Sequence, residues 1–109
     1  MKDEKLYLIH ILECIHLIQE YTIAGWESFQ VDRKSQDAVI RNFEIIGEAV
    51  KRLSQETRDQ APQIPWRRIA GFRDVLIHQY EGVDVAEIWK NIEADLPVLL
   101  TAIEKLVGT

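Results

Sequence analysis

Apolar residues step by three and four along almost the whole chain, and no stretch shows the strict apolar–polar alternation of a half-buried strand. Leu8, Ile11, Ile15, Ile18 and Thr22, with Leu12 widening the stripe, predict a helix over residues 4–24. Val39, Phe43, Ile46, Val50 and Leu53 predict a second over 33–58, and a third spans 65–80. Val85, Ile88, Ile92, Leu96, Leu99, Ile103 and Leu106 mark the last, opening at Asp84. Four such rods, each with one apolar face, predict an all-α, up-and-down four-helix bundle.

The punctuation agrees with that division. Gly25 is a natural stop for the first helix. Ala61-Pro62 ends the second, because proline lacks an N–H and restricts the residue before it. Pro65 suits the first turn of the third. Gly82 breaks the chain after it. Asp84 and Glu87 have the spacing of a capping box, and Val83 and Ile88 that of a hydrophobic staple. Pro97 falls inside the last helix and is expected to bend it near Glu93.

With 109 residues, the chain has the size of one domain, expected to span residues 1–109. Chains of this size bury roughly 65% of their unfolded surface, enough for a real core. The net charge of −5 excludes a generic basic nucleic-acid coat. Any contact with RNA must come from a local cluster, for which Arg67, Arg68, Arg73 and Lys90 are candidates. Cys14 is the single cysteine, so no intramolecular disulfide forms, as expected of a reducing compartment. Met1-Lys2-Asp3-Glu4-Lys5 opens on charges without the apolar core of a secretory signal. No apolar run reaches the ~18 residues of a membrane span. A cytoplasmic protein without a membrane partner is expected.

Residues 73–80 read Arg-Asp-Val-Leu-Ile-His-Gln-Tyr. Arg73 supplies a permanent cation whose planar fork fits phosphate oxygens. His78 exchanges protons near neutrality. Tyr80 can hydrogen-bond, stack on a base or act as a nucleophile. Arg73 and Tyr80, seven apart, share a helix face. Asp74 and His78, four apart, share a neighbouring one, so Asp74 is placed to orient the His78 ring. His78 stands well round the helix from Arg73. Closing all three groups on one atom therefore needs a helix end, an irregular turn or a second copy of the chain.

Other residues invite simpler readings. His10 and Cys14 are an i,i+4 pair, but two ligands with no evident third do not make a metal site, and none is expected. His16 reads as a boundary side chain, Trp26 and Trp89 as packing or interface residues, and Trp66 as an anchor at a helix entry. Gly47 differs. A glycine inside a helix costs about 1 kcal/mol against alanine, and close approach of another backbone is the expected compensation. Beside it, Arg41, Glu44 and Glu48 recur at three-to-four spacing as one polar stripe.

The motif has a distinctive setting. Ile64-Pro65-Trp66-Arg67-Arg68-Ile69-Ala70-Gly71-Phe72 leads into it, and Glu81-Gly82-Val83-Asp84, Ile88-Trp89 and Asp95-Leu96-Pro97 follow. Ile46-Gly47-Glu48-Ala49 stands upstream. These segments resemble the HEPN superfamily, specifically the HepT-like toxins of HepT/MntA toxin–antitoxin pairs. The resemblance covers nearly the whole chain and is most specific over residues 64–97. The family motif is Arg, four to six residues, His, any residue, Tyr, which Arg73, His78 and Tyr80 match.

The resemblance implies a HEPN-type bundle that pairs as a homodimer, with two motif copies facing one cleft. It implies a metal-independent endoribonuclease without a cofactor, in which Arg73 and His78 are catalytic. Asp74 and Glu48 would support them, and Arg67 and Arg68 would contact RNA. It further implies a cognate MntA-like nucleotidyltransferase antitoxin that transfers AMP to Tyr80. Two other classes stay open: a catalytically silent, partner-binding dimer regulated by that neighbour, and a dimer whose motif residues only hold the interface.

Overall fold

Every rod owes its position to one buried stripe, and the stripes meet in a single core. The computed structural model describes residues 4–78 and 82–108, and among these residues there are seven helices and no strand. The first, α1 (Lys5–Tyr21), buries Leu8, Ile11, Cys14, Ile15 and Ile18. A single turn, α2 (Trp26–Phe29), leads to α3 (Arg33–Lys51), which buries Val39, Phe43, Ile46, Gly47, Ala49 and Val50. A short α4 (Gln55–Asp59) precedes α5 (Trp66–His78), and α6 (Val85–Ala94) and α7 (Leu96–Gly108) complete the chain. Helix α3 packs against both α1 and α5, while α7 lies on α1 and α6. The four rods expected are thus α1, α3, α5 and the α6–α7 arm. Trp89 ties that arm to α2, with ring centroids 5.3 Å from Phe29 and 5.7 Å from Trp26.

The expected boundaries shift where side chains compete for backbone groups. Helix α1 ends at Tyr21 rather than 24, because the Thr22 hydroxyl donates to the Ile18 carbonyl at 2.8 Å and its N–H turns back to Gln19. Gly25 then takes φ +91°, a conformation side chains disfavour, and opens α2. The rod expected over 33–58 is two helices. Leu53 drops into the core, and the Ser54 hydroxyl accepts from Thr57 N–H at 3.1 Å, starting α4 afresh. The third helix is observed from Trp66 to His78; its expected last residues, 79 and 80, lie outside the described ones.

At the C-terminal arm, where a bend is expected, the helix is interrupted at Asp95, whose backbone stays helical (φ −93°, ψ −35°) and whose N–H and carbonyl still pair with Asn91 and Leu99 at 3.0 Å. Pro97 has no N–H for the Glu93 carbonyl and its ring opposes that oxygen, so α6 stops at Ala94. As the second residue of α7, Pro97 stands where no donor is needed. Only half of the capping box forms. The Asp84 carboxylate accepts from Ala86 N–H at 2.9 Å, and the Glu87 carboxylate turns to Lys90 at 3.9 Å. The staple closes, with Ile88 fully buried and Val83 against the core. Trp66 is the anchor expected: its ring is buried and its N–H donates to the Arg58 and Ala61 carbonyls, both at 3.1 Å.

Two carboxylates lock helix starts. Glu4 accepts from Ser54 N–H at 2.7 Å, joining the start of α1 to that of α4, and this bond lowers its pKa. Asp32 caps α3 by accepting from the Ser35 hydroxyl at 2.7 Å and its N–H at 3.3 Å, which lowers its pKa too. For both groups the folded pKa lies below the unfolded one, so the unfolded state binds more protons as acid is added. Their contribution is complete above the unfolded carboxylate range and is lost as pH falls through the depressed values. Denaturant titrations should show stability level near neutrality and declining below about pH 4.5, with Glu4→Gln reducing that acid-side slope.

Candidate active site

Gly47 brings the motif helix against α3. A Cβ at this position would overlap the Cβ of Arg73 and stand 3.2 Å from its Cγ and 3.4 Å from its Cδ. The close neighbour is the aliphatic stem of Arg73 rather than the backbone expected from the glycine alone. The next residue, Glu48, receives the guanidinium: Arg73 Nη2 lies 2.9 Å from Glu48 Oε1. Glycine admits the stem and glutamate holds its head, so two adjacent residues of α3 fix one arginine of α5.

The ion pairs continue in both directions. Glu48 Oε2 lies 3.6 Å from Arg52 Nη2. Arg73 Nη1 reaches Asp74 Oδ1 at 3.1 Å, and Lys51 Nζ binds the same oxygen at 2.8 Å. The hydrogen bond from Lys51 is the main reason the Asp74 carboxyl stays below its ordinary pKa, with Arg73 adding to it. This corrects the expectation that Asp74 orients His78. Lys51 and Arg73 hold the carboxylate, and among the described residues no hydrogen bond joins it to the His78 ring. His78 is the exposed last residue of α5. Tyr80 lies outside the described residues.

Arg73 stands at a cleft of about 370 Å3 between α1, α3 and α5, also lined by His10, Arg41, Glu44, Glu48 and Arg52. Arg41 and Glu44, 3.6 Å apart, are shared with a neighbouring cleft of about 790 Å3 that runs along α3 past Arg33 and is closed by Val83, Val85 and Ile88. The four candidate basic residues are dispersed instead. Arg68 is bound to Asp95 and Lys90 to Glu87, while Arg67 and Arg68 lie at the start of α5 beside Pro65 and Trp66. From Arg67 to His78 the helix rises about 16 Å.

Of the other candidates, His10 is exposed and Cys14 buried, so the i,i+4 pair faces two directions. Burial, with the charge of Glu13, pushes the Cys14 thiol up to about 11. Among the described residues no three His, Cys, Asp or Glu side chains gather as a metal site. Sequence reasoning missed Lys51 and Arg52. Arg52 continues the Arg41–Glu44–Glu48 stripe by one more turn and was findable there. The Lys51–Asp74 pair joins residues 23 apart in the chain, and no local pattern marks it.

A family model described as Ribonuclease HepT-like matches residues 11–106. The chain belongs to the HepT-like ribonuclease family. A protein of Thermococcus cleftensis named Probable ribonuclease HepT is 47% identical over 106 residues, 96% of each chain. Putative RNase TTE0752 of Caldanaerobacter subterraneus subsp. tengcongensis is 42% identical, over 98% of this chain and 96% of its own. A Methanocaldococcus jannaschii protein named Gamma-glutamylcyclotransferase and putative RNase MJ0434 is 48% identical over 97% of this chain. The chain spans only 48% of that longer relative. No solved structure matches. Among the described residues of this HepT-like chain, no helix is long and apolar enough to cross a membrane.

The Gly47–Arg73 contact generates a paired test. Gly47→Ala should lower thermal stability, because overpacking costs about 1–3 kcal/mol and outweighs the ~1 kcal/mol of helix propensity gained. Gly71→Ala, where a Cβ meets nothing within 4 Å, should raise it by up to about 1 kcal/mol. Melting curves showing the same sign for both variants would refute the close approach.

Proposed function

We propose that this chain is the toxin of a HepT/MntA-type pair, an endoribonuclease that needs no metal. The observation that carries the reading is the placement of Arg73, pinned by Gly47 and Glu48 at the edge of a cleft, five residues before an exposed His78. The RNase names of the full-length relatives support it. In this reading His78 acts as a general base or acid. It takes the proton of a ribose 2′-hydroxyl as that oxygen attacks the adjacent phosphorus, or protonates the 5′-oxygen that leaves. A 2′,3′-cyclic phosphate and a 5′-hydroxyl result. Arg73 stabilises the charge that develops on the phosphoryl oxygens. Glu48 positions Arg73, and Asp74 acts through Arg73 and Lys51.

One helix does not turn Arg73 and His78 onto the same atom, so the proposed unit is a homodimer with two motif copies across one cleft. His78→Ala should abolish RNA cleavage with helicity intact, and Arg73→Ala should lower the rate by about 10²–10³. Chelators should leave the rate unchanged. Cleavage that survives His78→Ala, or that stops with EDTA, would overturn the mechanism.

Control is proposed to run through Tyr80. Its phenolic oxygen attacks the α-phosphorus of ATP on a cognate nucleotidyltransferase, releasing pyrophosphate and leaving AMP on the tyrosine. The added charge and adenine then block the cleft to RNA. Native mass spectrometry of the protein made with its antitoxin should give a dimer carrying AMP increments, and Tyr80→Phe should lose them. A neutralised complex with an unmodified Tyr80 would show that the antitoxin acts by occlusion instead.

A further inference from the structure

The two clefts on α3 adjoin at Arg41 and Glu44, which line both, so they follow one another along the helix as a furrow divided at that ion pair. It runs along the helix from Arg52 to Arg33, about 28 Å by helix rise. Arg73 enters from the side, and Arg41 and Arg52 stand on the same stripe of α3. Both are well exposed, at 71% and 57% of the side chain, and each is held by a carboxylate only at 3.6 Å. Ion pairs of that kind contribute about 0–1 kcal/mol, so their arginines are free to exchange carboxylate for phosphate. Glu44 and Glu48 face the same stretch, and three arginines against two glutamates leave it cationic by one charge, in a chain of net −5.

Resting on the ribonuclease reading above, we infer that single-stranded RNA leaves the Arg73 site along α3, with Arg41 and Arg52 as its phosphate contacts. The alternative path, back along α5 to Arg67 and Arg68, is less suited. Arg68 is committed to Asp95, whose carboxylate is mostly shielded from solvent. Arg41 and Arg52 are eleven residues apart on α3, a rise of about 16 Å, which spans several nucleotides at 3.4 Å per stacked step. The furrow therefore holds the strand at more than one phosphate while Arg73 engages the scissile one.

The probe is a 2′-O-methylated single-stranded RNA oligonucleotide, which 2′-hydroxyl attack does not cleave. Its affinity for the full-length protein is measured from low to moderate salt, with circular dichroism confirming the fold of each variant. Arg41→Gln and Arg52→Gln should each weaken binding at low salt and lower the slope of log K against log salt by about 0.7. Arg67→Gln should leave both at the parent value. If the protein cleaves and binds RNA but Arg41→Gln and Arg52→Gln change neither quantity, or Arg67→Gln carries the effect, this path is wrong and the ribonuclease reading stands. If the unaltered protein neither binds nor cleaves RNA, both fall.

Discussion

The approach of α5 to α3 at Gly47 is the constraint on which the site depends. A side chain there would push Arg73 outward, and with it the cation that meets Glu48 and Asp74. The packing is local, but it sets the electrostatics of a whole face. Once the guanidinium stands between Glu48 and Asp74, Arg52 and Lys51 fill the outer positions, and five charged side chains alternate in sign across two helices. None is buried, so each pair is individually weak. Their value is geometric, since they hold a flexible arginine in one place at the edge of the cleft.

The fold was largely legible because helix formation and core burial use the same three-to-four repeat. Ile11, Ile15, Ile18, Val39, Val50, Ile88 and Ile103, all on the predicted stripes, are fully buried. What periodicity could not show was where a rod stops. The stripe through Val50 ends at Leu53 and residues 54–60 carry no apolar side chain, yet the chain turns helical again at Gln55 because the Ser54 hydroxyl caps a new helix. Pro97 was visible as a defect, and the helix is interrupted two residues before it, at Asp95.

The site was legible to a lesser degree. Gly47 and Glu48 were found from a glycine out of place and a polar stripe, and both meet Arg73. The pairing of Asp74 with His78 was inferred from spacing on one helix, and cross-helix partners overrode it. An i,i+4 relation states which side chains can meet. It does not know that Lys51, from another helix, offers the carboxylate a full positive charge at 2.8 Å. Pairs distant in the chain are settled by tertiary packing, and packing follows from the apolar residues rather than from the charged ones.

The interruption at Asp95 has a mechanical meaning. Helix α6 is anchored through Trp89 to the aromatic rings of α2, whereas α7 lies along α1. The two halves of the C-terminal arm thus meet at one residue, hydrogen-bonded to both and clamped to α5 by Arg68. The end of α7 is held by its packing on α1, and the joint by the Arg68–Asp95 pair. Loosening of the last turns can therefore stop at the joint, leaving the half of the arm that closes the larger cleft in place.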